Sequence, residues 1–264
     1  MSTEYEEVVR DAVRERYAGF ATSESSCCAP TTSCGCSAPD EKEISRRLGY
    51  SDEELAAAPE GANLGLGCGN PQAIAALSPG EVVLDLGSGA GFDCFLAARQ
   101  VGEGGRVIGV DMTSEMVAKA RENARTAGYV NTEFRLGEIE HLPVADGSVD
   151  VIMSNCVINL SPDKPAVFRE AFRVLKPGGR LAISDVVATA PLPESVRDDM
   201  RLLSACISGA AADLETVEAI LADAGFQDVD IRPVEESREF IRDWEPDSRL
   251  EDFVLSATIR AVKR

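Results

Sequence analysis

No run of about 18 apolar residues occurs in this chain of 264 residues, so no segment is expected to span a membrane. Residues 1–25 are charged and contain no apolar leader core, which sets the expectation of a cytoplasmic protein. Basic charge is in short supply. Lys and Arg number 26 against 45 Asp and Glu, a formal net charge of −19. Phosphate binding needs a basic face, so nucleic acid is excluded as an expected partner. Lysine is rarer than arginine, and the acids are spread along the whole chain. That distribution describes a solvated acidic surface or, in a sharper reading, adaptation to high salt, where excess surface charge maintains solubility. Histidine is almost missing: His141 stands alone and is expected at the surface.

Cysteine, by contrast, is plentiful. The eight are Cys27, Cys28, Cys34, Cys36, Cys68, Cys94, Cys156 and Cys206. In a cytosolic chain this usage points to metal binding or thiol chemistry rather than to structural disulfides. The N-terminal four are spaced CCx₅CxC, unlike the paired C-x₂-C of zinc sites, and lie in a Ser, Pro and Thr-rich loop over 21–39. Cys94 reads as a small buried apolar residue.

The chain is organised around VVLDLGSGAGFDCFLAARQVGEGGRVIGVDM, residues 82–112. Val82, Val83 and Leu84 form a short β-rich run suited to a buried parallel strand. Gly87, Gly89 and Gly91 make a turn where backbone can approach a ligand closely. Phe92, Phe95, Leu96 and Ala97 then give a helix its apolar face. A second strand ends at Asp111, where an acid is placed to bind the two hydroxyls of a ribose. The spacing Asp85-x-Gly87-x-Gly89-x-Gly91 ends the first strand in an acid, which argues against a dinucleotide and its pyrophosphate.

Apolar periodicity predicts a helix over 4–20 with Val8, Val9, Ala12, Val13, Tyr17 and Phe20 on one face. Ser51 to Glu54 reads as a capping box before a short helix. Residues 59–71 are glycine-rich, irregular and carry Cys68. A helix follows over 113–128, with Thr113 at its N-cap and Met116, Val117, Ala120 and Ala124 facing inward. Further strands are expected at 132–136, 149–154 and 180–187, with a helix at 163–175. Helices at 194–208, carrying Cys206, and 214–224 precede two strands near 226–233 and 252–262. No helix is expected between those last two, which should pair antiparallel. The alternation predicts an α/β fold: a mostly parallel seven-stranded sheet with helices on both faces and a last antiparallel strand. An N-terminal helical extension with its Cys loop (1–78), a nucleoside-binding core (79–190) and a C-terminal part completing the sheet (191–264) are the expected divisions.

The glycine turn, Asp111 and LKPGGRLAISD (175–185) together resemble the Rossmann-like S-adenosylmethionine methyltransferases. LGCGNP (66–71), LGSGAGFD (86–93), VDMTSEM (110–116), SNCVINLSPDK (154–164) and LLSACISGA (202–210) narrow that resemblance to the arsenite methyltransferases, with SNCVINL the most specific piece. The resemblance implies that Cys68, Cys156 and Cys206 bind arsenic and that one of Cys27 and Cys28 serves a redox step. It implies cofactor contacts at Asp85, Gly87, Ser88, Gly89, Gly91, Asp111 and Met112. Ile139 and Glu140 are implied around the adenine, and Asn155 just before the substrate cysteine. Leu66 stands where many relatives have an aromatic residue and Leu203 where some have Trp, and Cys34 and Cys36 have no counterpart.

The implied chemistry suits the residues. Trivalent arsenic is soft and prefers thiolates. Held by three of them it keeps a lone pair, which attacks the sulfonium methyl in line at near-attack distance. No proton leaves the attacking atom, so a chain with one histidine lacks nothing. Methylation oxidises arsenic, and two thiols closing to a disulfide reduce it. An external thiol reductant, a thioredoxin or a small thiol, then reopens the disulfide. The expected substrate is arsenite or its thiol conjugate and the expected state a monomer. Two other functions fit parts of the pattern: methylation of a small quinone-like acceptor, and non-catalytic metalloid binding.

Overall fold

A computed structural model describes residues 3–22, 40–197, 199–204, 212–244 and 248–264. Seven strands form one sheet: β1 Val82–Leu86, β2 Arg106–Asp111, β3 Thr132–Leu136, β4 Val149–Asn155, β5 Leu175–Ala188, β6 Gln227–Val234 and β7 Val254–Val262. Their spatial order is β3-β2-β1-β4-β5-β7-β6. The strands from β3 through β5 pair in parallel, while β7 is antiparallel to both β5 and β6. The expected architecture is borne out, and both C-terminal strands belong to this same sheet.

Alternation along the central strands builds two cores. Leu84 and Leu86 of β1 and Ile152 of β4 face one side, where α7 (Lys164–Val174) and α10 (Leu214–Ala224) pack. Val83, Val151 and Met153 face the other, covered by α5 (Phe92–Val101) and α6 (Ser114–Ala127). Because both faces are covered, these strands read as continuous apolar runs rather than alternating ones.

Before the sheet come α1 (Thr3–Thr22), α2 (Glu41–Arg47), α3 (Asp52–Ala57) and the single turn α4 (Gln72–Ala75). The capping box at α3 forms as expected: Ser51 Oγ accepts from the Glu54 amide and the Glu54 carboxylate accepts from the Ser51 amide. Helix α1 buries Val9 and Val13 but turns Val8 outward, 52% exposed. It packs against α6, residues 200–204 and the turn after β4, and Val8 lies off that surface.

Three local expectations need correction. Thr113 stands at the N-cap of α6 without capping it through its side chain; Asp111 Oδ1 accepts from the Thr113 amide instead. The helix expected over 194–208 is two short ones within the described residues, α8 (Glu194–Arg197) and α9 (Met200–Ser204). A helix, α11 (Ser237–Trp244), does lie between β6 and β7. It was hidden because only Phe240, Ile241 and Trp244 are apolar in a segment of charged residues. Those residues are enough to dock it, since Ile241 is fully buried beside Val186, Leu250 and Val254. No helix among the described residues is long and apolar enough to cross a membrane.

Ile241→Ala is expected to destabilise the protein by about 2–5 kcal/mol, the usual cost of emptying such a site. Equilibrium denaturant unfolding measures it. A loss below 1 kcal/mol, about the scale of a surface change, would mean that α11 is not docked through this residue.

Candidate active site

Strand β1 sends its successors to both sides, β2 on one flank and β4 on the other, and open sheets bind ligands at the carboxyl ends of strands at such a reversal. A cavity of about 450 Å³ opens there. The turn after β1 forms its floor. Gly87 has φ +66°, and a Cβ on it would lie 2.3 Å from Val157, so only glycine fits. Gly89 has φ +51°, and its amide donates to Asp111 Oδ2 at 2.9 Å. Asp111 therefore ties the turn to the start of α6, with its second oxygen on the Thr113 amide at 2.8 Å.

Asp85, Gly87, Ser88, Gly89, Asp111, Met112, Ile139, Glu140, Asn155 and Cys156 all line this cavity. Gly91 does not. It lies behind the lining, where a Cβ would strike the Phe95 and Phe134 rings, so its glycine serves the packing of α5. Glu140 Oε1 accepts from Ser161 Oγ at 2.6 Å and lies 3.6 Å from Arg10 Nη2 of α1, which roofs the cavity.

Burial governs the acids. Asp85 is 3% exposed, Asp93 8% and Asp111 9%. Burial raises all three carboxyls above the usual range, and the main charges acting on Asp85 are Asp93 and Asp111. Asp93 is pushed up to about 6, despite hydrogen bonds from Tyr50 and Asn155 that favour its ionised form. Cys94 is buried as expected, yet not merely apolar: Sγ donates to Asp85 Oδ2 at 3.2 Å, and burial beside that carboxylate holds its thiol well above the usual value. Clustered buried acids of this kind call for a cation.

The thiols meet on the far side of Asn155. Cys156 follows β4 directly with φ +60°, rare for a side chain-bearing residue, and its amide donates to the Ser184 carbonyl at 2.8 Å. Cys68 is 1% exposed. Its amide donates to Asn155 Oδ1 at 3.1 Å, and its carbonyl accepts from Ser256 Oγ at 2.6 Å. A Cβ on Gly69 would come within 2.9 Å of Ser184, so the loop lies flat on β5. The sulfurs of Cys68 and Cys156 and a carboxylate oxygen of Asp185 lie within 4.8 Å of one another. Cys206, Cys27 and Cys28, with Cys34 and Cys36, lie outside the described residues.

Sequence reasoning missed Asp185 and Tyr50. Asp185 closes the LKPGGRLAISD segment, and its carboxylate accepts from the Ile158 and Val186 amides and from Asn159 Nδ2. Asp185 lies within β5 and outside the cavity lining, and an acid inside an otherwise apolar strand was the available signal. Tyr50 offered none, because only the fold brings the α2–α3 junction to this point. His141 is exposed, as expected.

The donor set fits S-adenosylmethionine: buried carboxylates for its α-ammonium and sulfonium charges, Asp111 for a ribose, and a glycine turn that admits close approach. Sheet order and site define a methyltransferase domain, and a family model of that description matches residues 77–238. The arsenite methyltransferase of Halobacterium salinarum is 55% identical over 97% of this chain and 67% of its own length. The human arsenite methyltransferase is 44% identical over 48% of this chain and 36% of its own length. Among solved structures, an arsenic(III) S-adenosylmethionine methyltransferase from Chlamydomonas reinhardtii superposes with a TM-score of 0.63 at 33% identity, covering 86% of this chain and 75% of that one. A phosphoethanolamine N-methyltransferase from Haemonchus contortus, at 21% identity and TM-score 0.61, shares the fold. The chain thus spans about two thirds of the Halobacterium relative and about a third of the human one. It belongs to the arsenite methyltransferase family.

Gly87→Ala is expected to weaken S-adenosylhomocysteine binding by about tenfold or more, about 1.4 kcal/mol, since a Cβ that meets Val157 at 2.3 Å must displace the turn that floors the cavity; calorimetric titration checks it, and unchanged affinity would remove the turn from the site. Affinity for the same ligand should also fall as pH drops through about 6. The sign follows from Asp93: a cation favours its ionised form, and below that pH a proton must first leave, at about tenfold in affinity per pH unit. Asp93→Asn should remove the inflection.

Proposed function

We propose that this protein methylates trivalent arsenic held by Cys68, Cys156 and Cys206. The observation that carries the proposal is the convergence of Cys68 and Cys156 beside a cavity floored by the glycine turn. S-adenosylmethionine, when bound, supplies an electrophilic methyl group on a sulfonium. Asp85 and Asp93 hold the α-ammonium of the amino-acid end, Asp111 accepts from the ribose hydroxyls, and Ile139 and Glu140 border the adenine. Cys68 and Cys156 displace oxygen or thiol ligands from arsenite or its thiol conjugate and fix the arsenic, leaving its lone pair as nucleophile. The rigid seat of Cys68, bonded to β4 and β7, keeps that lone pair aimed at one side of the cavity.

The new carbon–arsenic bond takes the arsenic lone pair, so arsenic is oxidised by two electrons. Two thiols that close to a disulfide return those electrons. Cys27 or Cys28 joins a substrate cysteine in this step, and a thioredoxin or small thiol reduces the disulfide again. The setting we propose is a cytoplasmic monomer that detoxifies arsenic.

Cys156→Ser and Cys68→Ser should each abolish methylarsenical formation from arsenite, S-adenosylmethionine and a thiol, while S-adenosylhomocysteine still binds. Chromatography with elemental detection separates the products. Normal turnover in either variant would overturn the thiolate mechanism, and methylation of a quinone-like acceptor by both variants would favour a carbon or oxygen methyltransferase.

A further inference from the structure

Asn155 touches both halves of the site at once. Its Oδ1 accepts from the Cys68 amide at 3.1 Å, and its Nδ2 donates to the Gly69 carbonyl at 2.9 Å. The same Nδ2 lies 3.1 Å from Tyr50 Oη and 3.3 Å from Asp93 Oδ2. Tyr50 Oη donates to the other Asp93 oxygen at 2.8 Å. The tyrosine cannot drift, because it is 4% exposed and its ring stands edge-on to Phe92 at 5.0 Å. Asp93 is held from behind as well, its main-chain carbonyl accepting from Gln72 Nε2 at 2.7 Å. Gly67 has no side chain to intervene; a Cβ there would lie 3.0 Å from both polar atoms of the Asn155 amide.

This geometry gives the charge on Asp93 a mechanical consequence. An ionised carboxylate accepts only, so it selects the orientation of the Asn155 amide that points NH₂ at Asp93. That orientation turns Oδ1 toward the Cys68 amide. The flipped amide would set two donors face to face at Cys68 and leave two acceptors face to face at Asp93. A cation that engages Asp93 keeps it ionised and strengthens its charge-assisted hydrogen bonds. We propose that Tyr50, Asp93 and Asn155 are positioning residues that couple the α-ammonium group of the cofactor's amino-acid end to the placement of Cys68, so that cofactor and arsenite strengthen each other's binding. The inference rests on the arsenite methyltransferase reading of the site.

Coupling is reciprocal and can be read from either ligand. The sequence's single tryptophan, Trp244, lines the cavity and reports binding by fluorescence. Arsenite is titrated into the full, reduced chain alone, with saturating S-adenosylhomocysteine, and with 5′-methylthioadenosine, which lacks the amino-acid end. S-adenosylhomocysteine should tighten arsenite binding by about fivefold or more, the lower end of ordinary coupling. Methylthioadenosine should leave it unchanged. Tyr50→Phe and Asp93→Asn should each bring the S-adenosylhomocysteine ratio toward one. Loosened packing would weaken both affinities without abolishing their ratio, and methylthioadenosine binding, which does not use the amino-acid end, shows that each variant is folded. Equal tightening by both nucleosides, or an undiminished ratio in both variants, would overturn the relay. A wild-type chain that binds S-adenosylhomocysteine but never arsenite would overturn the functional reading, and the relay with it.

Discussion

The parallel pairing of β1 with β4 is the constraint on which the site depends. It sets Asp85 beside Met153 and Leu86 beside Ser154, so the residues that follow each strand emerge side by side. The glycine turn leaves one strand and Asn155-Cys156 leaves the other. A parallel sheet needs crossover connections, and the helices that make them cover both faces, leaving only the strand ends open to a ligand. The buried carboxylates and Cys156 therefore line one cavity, with Cys68 set against Asn155 beside it.

The electrostatics within that cavity differ from those of the surface. The chain is strongly acidic overall, and some of its outer acids are paired with arginines, such as Glu81 with Arg180 and Glu170 with Arg173. Glu81 and Glu170 are accordingly held below the usual carboxylate range. Asp85, Asp93 and Asp111 move the opposite way because burial acts on them without a compensating cation. An unbalanced charge in a low-dielectric pocket is costly to the protein alone and favourable to a positive ligand. The thiol end is different in kind. Cys68 and Cys156 sit among apolar side chains such as Val13, Leu160 and Val186. Asp185 is the one carboxylate grouped with the two sulfurs among the described residues.

Most strands and the helices α5, α6, α7 and α10 were legible because each carries its own signal: an apolar run, a glycine stop, or a period of three and four residues. The capping box at Ser51 was legible for the same reason, being complete within four residues. Helix α11 escaped because three apolar residues among charges form a weak stripe, and its docking is decided by Leu250 and Val254 beyond it. The role of Gly91 was misplaced because the motif does not say which glycine faces a ligand and which faces Phe95 and Phe134.

What the sequence determined by itself is local chemistry: a glycine turn between strand and helix, an acid at the end of each of the first two strands, and cysteines in family segments. Turn geometry and periodicity act over a few residues, so they can be read without the fold. Tertiary structure alone decided that Cys68 lies against Cys156, that Asp185 joins them, and that Tyr50 bonds to Asp93 and Asn155. Those contacts join residues far apart in the chain. They exist because strand order, not spacing, chooses which ends meet.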